Sequence, residues 1–363
     1  MISFSARHLL LAATGTALAI AHASANAAPS KQDAPVAHVA DQAIAVSTPD
    51  GEATLPLYAD RDIDAAQSGL TRVFIIVHGT LRNADTYFAT GQRVLAAAGS
   101  HGTDSMIVAP QFLTPPDLRA FALPPRTLVW SEGGWKEGAP ARRPAPVSSF
   151  SALDALLQHF DDRQRYPSLQ SVTLIGHSAG AQVVQRYAVA GRAEQALTRD
   201  GIHVRYVVAN PSSYLYFDDA RPASGGGFQN VDTQACPRAV QWKYGMTDAP
   251  AYVATQNIAA METQYAQRDV VYLLGQDDVD PRTHFIDRSC AAMAQGPFRL
   301  ARGLSYFAYL QARFPGGLNQ RVVEVPGVGH DARRMLTSDC GMAVLFGRPM
   351  PSSCPVESEP PPK

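Results

Sequence analysis

The segment Ser171–Gln182, Ser-Val-Thr-Leu-Ile-Gly-His-Ser-Ala-Gly-Ala-Gln, constrains this chain more than any other. An apolar, largely β-branched run, Val172 to Ile175, ends in Gly-x-Ser-x-Gly, and a helical pattern over 181–190 begins at once. A strand that turns this sharply into a helix strains the central residue and lifts its side chain above the sheet. Gly176 and Gly180 stand two residues either side of Ser178, where Cβ atoms would collide as strand and helix close on each other. Ser178 is therefore a candidate nucleophile.

The rest of the chain repeats the same rhythm. Residues 43–58, split by Pro49-Asp50-Gly51, read as a hairpin. Residues 72–77 form a continuous apolar run, as expected of a central strand covered on both faces. Further strands are expected at 106–110, 204–209, 270–274 and 321–325. Helical patterns fall at 83–98, 148–160, 251–267, 290–314 and 331–346, and Ser151-x-x-Asp154 resembles a capping box. This alternation predicts an α/β fold: a mostly parallel central sheet with helices on both faces. Two stretches break the pattern and read as inserted loops: 111–147, which carries Trp130, Trp135 and Lys136, and 215–250, which carries Cys236.

In a chain of 363 residues, 46% hydrophobic, a large core can form. The net charge of -1 implies no basic face, which argues against a nucleic-acid partner. Residues 1–27 read as a secretory signal peptide, with Arg7, an apolar run over 9–20 and the small-x-small site Ala25-Asn26-Ala27. That run is too short to span a bilayer, although an uncleaved anchor is the rival reading. No cysteine lies near the cleavage point to carry a lipid. The expectation is a secreted or periplasmic protein with no stable membrane anchor. Residues 28–42 are expected to be a disordered N-terminus, 43–350 the folded domain and 351–363 a flexible tail.

Four cysteines in an exported chain suggest two disulfides. Cys340 and Cys354 are near neighbours, which leaves Cys236 with Cys290, one of three possible pairings. The lack of a C-x-x-C pair or a His/Cys cluster argues against a metal.

In open α/β sheets, reacting groups sit on loops beyond the carboxyl ends of the strands. His78, Ser178, Asn210, Asp278 and His330 all fall at such ends. A serine hydroxyl needs a base within reach, and histidine is the natural one near neutral pH. His330, after the last strand, is the favoured base, with His284 its competitor. His159 reads as a helix-surface residue, and His177 points elsewhere within the elbow. A carboxylate must orient the base. Asp278 in Gly275-x-x-Asp278 is best placed, with Asp280 and Asp277 as alternatives. The backbone N–H groups of Ala179 and Thr80 are candidate oxyanion donors. His78 is given the structural task of shaping that hole.

Taken together, His78-Gly79-Thr80, Gly176-His177-Ser178-Ala179-Gly180, Gly275-x-x-Asp278 and Gly329-His330 resemble the α/β-hydrolase superfamily over about residues 43–346. The resemblance implies an α/β-hydrolase fold with Ser178 as nucleophile, Asp278 as acid, His330 as base, and Thr80 and Ala179 as oxyanion donors. It implies serine hydrolysis of a small-molecule or polymeric ester without metal or organic cofactor. Amide or peptide cleavage by the same triad is the first alternative, and a non-catalytic binding protein the second. Trp135 and Tyr214 are candidate substrate contacts, with Trp130, Tyr216 and Phe217 nearby. Lys136, Arg142 and Arg143 form a candidate patch for an anionic substrate.

Overall fold

The computed structural model describes Met1 and residues 31–49 and 51–358. The signal segment after Met1, residues 28–30, Asp50 and residues 359–363 lie outside the described residues. The strands are β1 (Gln42–Thr48), β2 (Gly51–Ala59), β3 (Arg72–Val77), β4 (Ser105–Pro110), β5 (Ser171–His177), β6 (His203–Ala209), β7 (Ala220–Pro222), β8 (Phe228–Asn230), β9 (Asp269–Gly275), β10 (Gln320–Val325) and β11 (Val356–Ser358). Nine of them form one sheet in the order β1-β2-β4-β3-β5-β6-β9-β10-β11. The six central strands from β4 to β10 are parallel, while β1, β2 and β11 pair antiparallel at the two edges. β7 and β8 form a separate hairpin within the 215–250 insertion.

The apolar strands are explained by their two covered faces. Along β3, Val73, Ile75 and Val77 join one core, and Phe74 and Ile76 join the other. Along β9, Val270, Tyr272 and Leu274 alternate in the same way with Val271 and Leu273. This is the period-two pattern of a pleated strand. Helices Ser149–His159, Ala179–Ala190, Ile258–Gln267 and Arg299–Arg313 pack on the first face, and Ala84–Ala98, Ala332–Thr337 and Asp339–Phe346 on the second.

Several expectations need correction. Ser148, not Ser151, caps helix Ser149–His159, its side chain accepting from the Phe150 N–H. Asp154 is turned inward instead, accepting from the Tyr187 and Tyr252 hydroxyls at 2.7 and 2.6 Å. The expected helix over 251–267 is divided into Ala251–Ala254 and Ile258–Gln267, because Asn257 starts a new cap. The 111–147 segment is ordered around helix Pro115–Ala120, with Trp130 and Trp135 in the core.

The disorder expected for 28–42 does not hold over 31–42. Asp117 and Arg82, both buried, form an ion pair at 3.0 Å. Asp117 also accepts the Val36 N–H, and Arg82 donates to the carbonyls of Gln32 and Ala34. Residues 351–358 are likewise held, since Cys354 is bonded to Cys340 and β11 pairs with β10. The second disulfide joins Cys236 to Cys290. Among the described residues no helix is long and apolar enough to cross a membrane.

The elbow depends on backbone contact. A Cβ on Gly176 would lie 2.2 Å from the Gly180 carbonyl oxygen, and one on Gly180 would lie 2.1 Å from the Val77 carbonyl oxygen. Neither neighbour is a movable side chain. Gly180→Ala is expected to destabilise the domain by about 3 kcal/mol or more, read as a lowered denaturation midpoint. Asp117→Asn is expected to lower stability by about 3 kcal/mol, because it leaves a buried guanidinium with only the partly exposed Glu132, at 3.4 Å, as counter-charge. It should also raise proteolytic cleavage within 31–41; unchanged cleavage would refute the tethering.

Candidate active site

Ser178 follows β5 directly and has φ +59° and ψ -120°, a conformation that L-residues rarely adopt. Helix Ala179–Ala190 begins at the next residue, so its positive end faces the serine. β9 ends at Gly275, and the turn after it buries Asp278. β10 ends at Val325, and the loop beyond carries His330. The imidazole Nδ1 of His330 lies 2.7 Å from Oδ2 of Asp278. Ser178 and His330 line one cavity of about 480 Å³ together with Thr80, Tyr87 and His177. Ser178, Thr80 and Ala179 also line a smaller adjoining cavity of about 300 Å³. The residues expected at strand ends are thus brought together.

The alternatives to Asp278 and His330 take no part in this contact. Asp277 and Asp280 are exposed, as is His284. His159 is engaged elsewhere, bonded to the Ile63 carbonyl at 2.9 Å.

Two residues hold the site from outside it. The other Asp278 oxygen meets the guanidinium of Arg299 at 3.3 Å, and Arg299 is fully buried. Arg299 also donates to Thr283 Oγ1 at 2.7 Å, which fixes the turn after Asp278. Asn210, at the end of β6 with φ +48°, accepts the Gly275 N–H at 2.9 Å and donates to the Gly329 carbonyl at 3.3 Å. It therefore links the loop of the carboxylate to the loop of the imidazole. Asn210 was marked by its strand-end position, whereas nothing in the helical pattern around Arg299 singled it out.

His177 does not point away from the site. Its ring lies 4.5 Å from that of His330, and Tyr87 Oη lies 3.2 Å from its Nδ1. Burial holds the His177 pKa well below the usual histidine range, and the neighbouring His330 adds to this. His78 is buried and neutral for the same reason, its pKa pushed down to about 4. It accepts the Phe112 N–H at 3.0 Å on Nε2 and donates from Nδ1 to the Gly79 carbonyl at 2.9 Å. It braces the loop of Thr80, as expected. For His330, burial lowers the pKa and the bond to Asp278 opposes that shift.

The expected aromatic contacts are corrected. Trp135 is 0% exposed, packed 4.7 Å from His78 and 5.6 Å from Phe112. Tyr214 is 0% exposed and stacked 4.6 Å from Tyr306. Both are core, because their loops fold their largest apolar surfaces inward. The cationic patch is also different. Arg142 is exposed, Arg143 donates to the carbonyls of Pro124 and Pro125, and neither lines the two cavities. Lys136 does line the smaller one, with Lys243 and Arg288. No group of three or more His, Cys, Asp or Glu able to hold a metal occurs among the described residues.

No protein-family model matches the chain, and no curated protein matches it significantly. Solved structures do. A poly(aspartic acid) hydrolase-1 from Sphingomonas sp. KT-1 aligns at 19% identity and TM-score 0.56, over 86% of this chain and 99% of that one. A poly(3-hydroxybutyrate) depolymerase from Bordetella parapertussis aligns at 21% identity and TM-score 0.57, over 90% and 98%. With the strand order, the elbow after β5 and these alignments, the chain has the α/β-hydrolase fold.

Proposed function

We propose that the protein is a serine hydrolase that cleaves carboxylic esters. The observation that carries the reading is the 2.7 Å contact between His330 Nδ1 and Asp278 Oδ2 beside a strained Ser178 on the same cavity. The carboxylate fixes the tautomer, with Nδ1 protonated and Nε2 free to act as base. His330 takes the Ser178 proton as Oγ attacks the ester carbonyl. The N–H groups of Ala179 and Thr80 receive the oxyanion, and the helix N-terminus at Ala179 adds positive potential. His330 then protonates the departing alcohol. Water, activated by the same imidazole, cleaves the acyl-enzyme.

Two disulfides fit an oxidising compartment, which supports the expected export. A second reading, cleavage of an amide, is favoured by the likeness to a protein named as a poly(aspartic acid) hydrolase. The likeness to a poly(3-hydroxybutyrate) depolymerase favours a polymeric ester.

Ser178→Ala is expected to lower kcat on p-nitrophenyl esters by about 10⁴-fold or more and to abolish phosphonate labelling. Asp278→Asn should lose on the order of 10³–10⁴-fold. Equal turnover of matched esters and anilides would move the protein to the amide reading. Full activity in Ser178→Ala would overturn both. Because protonated His330 cannot accept the serine proton, kcat/KM should rise with pH along an acidic limb centred below the usual 6.5 and then level off. A limb centred above 6.5 would contradict the burial of His330.

A further inference from the structure

Ser178 stands where the two cavities meet, and Thr80 and Phe285 are also common to both. His330 lines the larger cavity and is absent from the wall of the smaller. The group that leaves must accept its proton from His330, so the larger cavity receives the leaving group. The acyl portion then enters the smaller one.

The wall of that smaller cavity carries three cations, Lys136, Lys243 and Arg288, and one carboxylate, Asp287. The acids around them already have partners, Lys243 among these. Glu137 pairs with Lys243 at 3.2 Å, and Glu132 lies 3.4 Å from Arg82. Asp287 accepts the Tyr244 hydroxyl at 2.5 Å and the Ser289 N–H at 3.0 Å. Lys136 has no carboxylate within ion-pair distance among the described residues. Its ammonium donates to Thr80 Oγ1 at 2.9 Å and lies 5.4 Å from the Trp135 ring. Desolvation, with the charge of Lys243 beside it, pushes Lys136 down to about 8 against the opposing pull of Glu137 and Glu132. A partly desolvated ammonium with no carboxylate in direct contact is costly, and an anion at that point would relieve the cost.

Building on the serine-hydrolase reading, we propose that the smaller cavity is an acyl-side subsite for a carboxylate, held by Lys136 with Arg288 at its rim. The preferred substrates are esters of acids that carry a second, anionic group on the acyl chain.

The test compares mono-p-nitrophenyl esters of dicarboxylic acids, from glutarate to suberate, with the same esters capped as monomethyl esters. The readout is the ratio of kcat/KM for the anionic and capped member of each pair. The expected ratio in the wild type is about 10 or more for at least one chain length, the range of one charge-assisted hydrogen bond. Lys136→Met should bring it close to one. Arg288→Gln, on the exposed rim, should lower it at least two-fold and serves if Lys136→Met does not fold. A wild-type ratio near one at every length overturns the subsite. So does a Lys136→Met variant that slows both members equally, since the lysine would then act only by orienting Thr80. Absence of Ser178-dependent turnover on every ester would instead overturn the hydrolase reading, and the subsite with it.

Discussion

The site rests on a contact between two backbones. Helix Ala179–Ala190 comes so close to the ends of β3 and β5 that no side chain fits at Gly176 or Gly180. This approach forces Ser178 into its positive-φ conformation and aims the helix N-terminus at the space above the sheet. It also sets where everything else must be. The loops after β3, β9 and β10 reach the serine because parallel strands end on the same side of the sheet.

Those loops are long and polar, and buried arginines hold several of them in place. Arg82 fixes the start of the described chain against Asp117, Arg299 fixes the turn of Asp278, and Arg302 donates to the Ser212 carbonyl in the loop after β6. Arg186 reaches the Lys136 carbonyl, Gln182 and Ser213 from the elbow helix itself. A guanidinium suits this task because its planar set of donors can satisfy several carbonyls at once, which loops outside the sheet offer in excess. Lys136 is different in kind: a half-buried cation with no such set of partners.

The sheet and the convergence of Ser178, Asp278 and His330 were legible because both follow from local pattern. Each apolar run marks a buried strand, and parallel strands place the residues that follow them on one side. What was not legible depended on long-range placement. Trp135 and Tyr214 sit in Gly- and Pro-rich loops, where sequence spacing does not tell which way an aromatic ring turns. Arg299 lies in a helix whose apolar face explains its neighbours but not its own burial. The order of residues 31–42 depends on an ion pair made between 82 and 117, far from the segment it holds. The place of His177 beside the base is hidden for the same reason: the elbow pattern describes Ser178, not the contact that His330 makes from another strand.

The tethering of the leading segment has a practical consequence for handling the protein. Gln32 lies on the wall of the smaller cavity, and its carbonyl is clamped by Arg82. Lys31, the residue before it, therefore sits close to the rim of that cavity. β11, by contrast, lies at the far edge of the sheet, where Ser358 pairs with Arg321 at the start of β10, the end of that strand opposite His330, so a label placed at Ser358 stays away from the cavity.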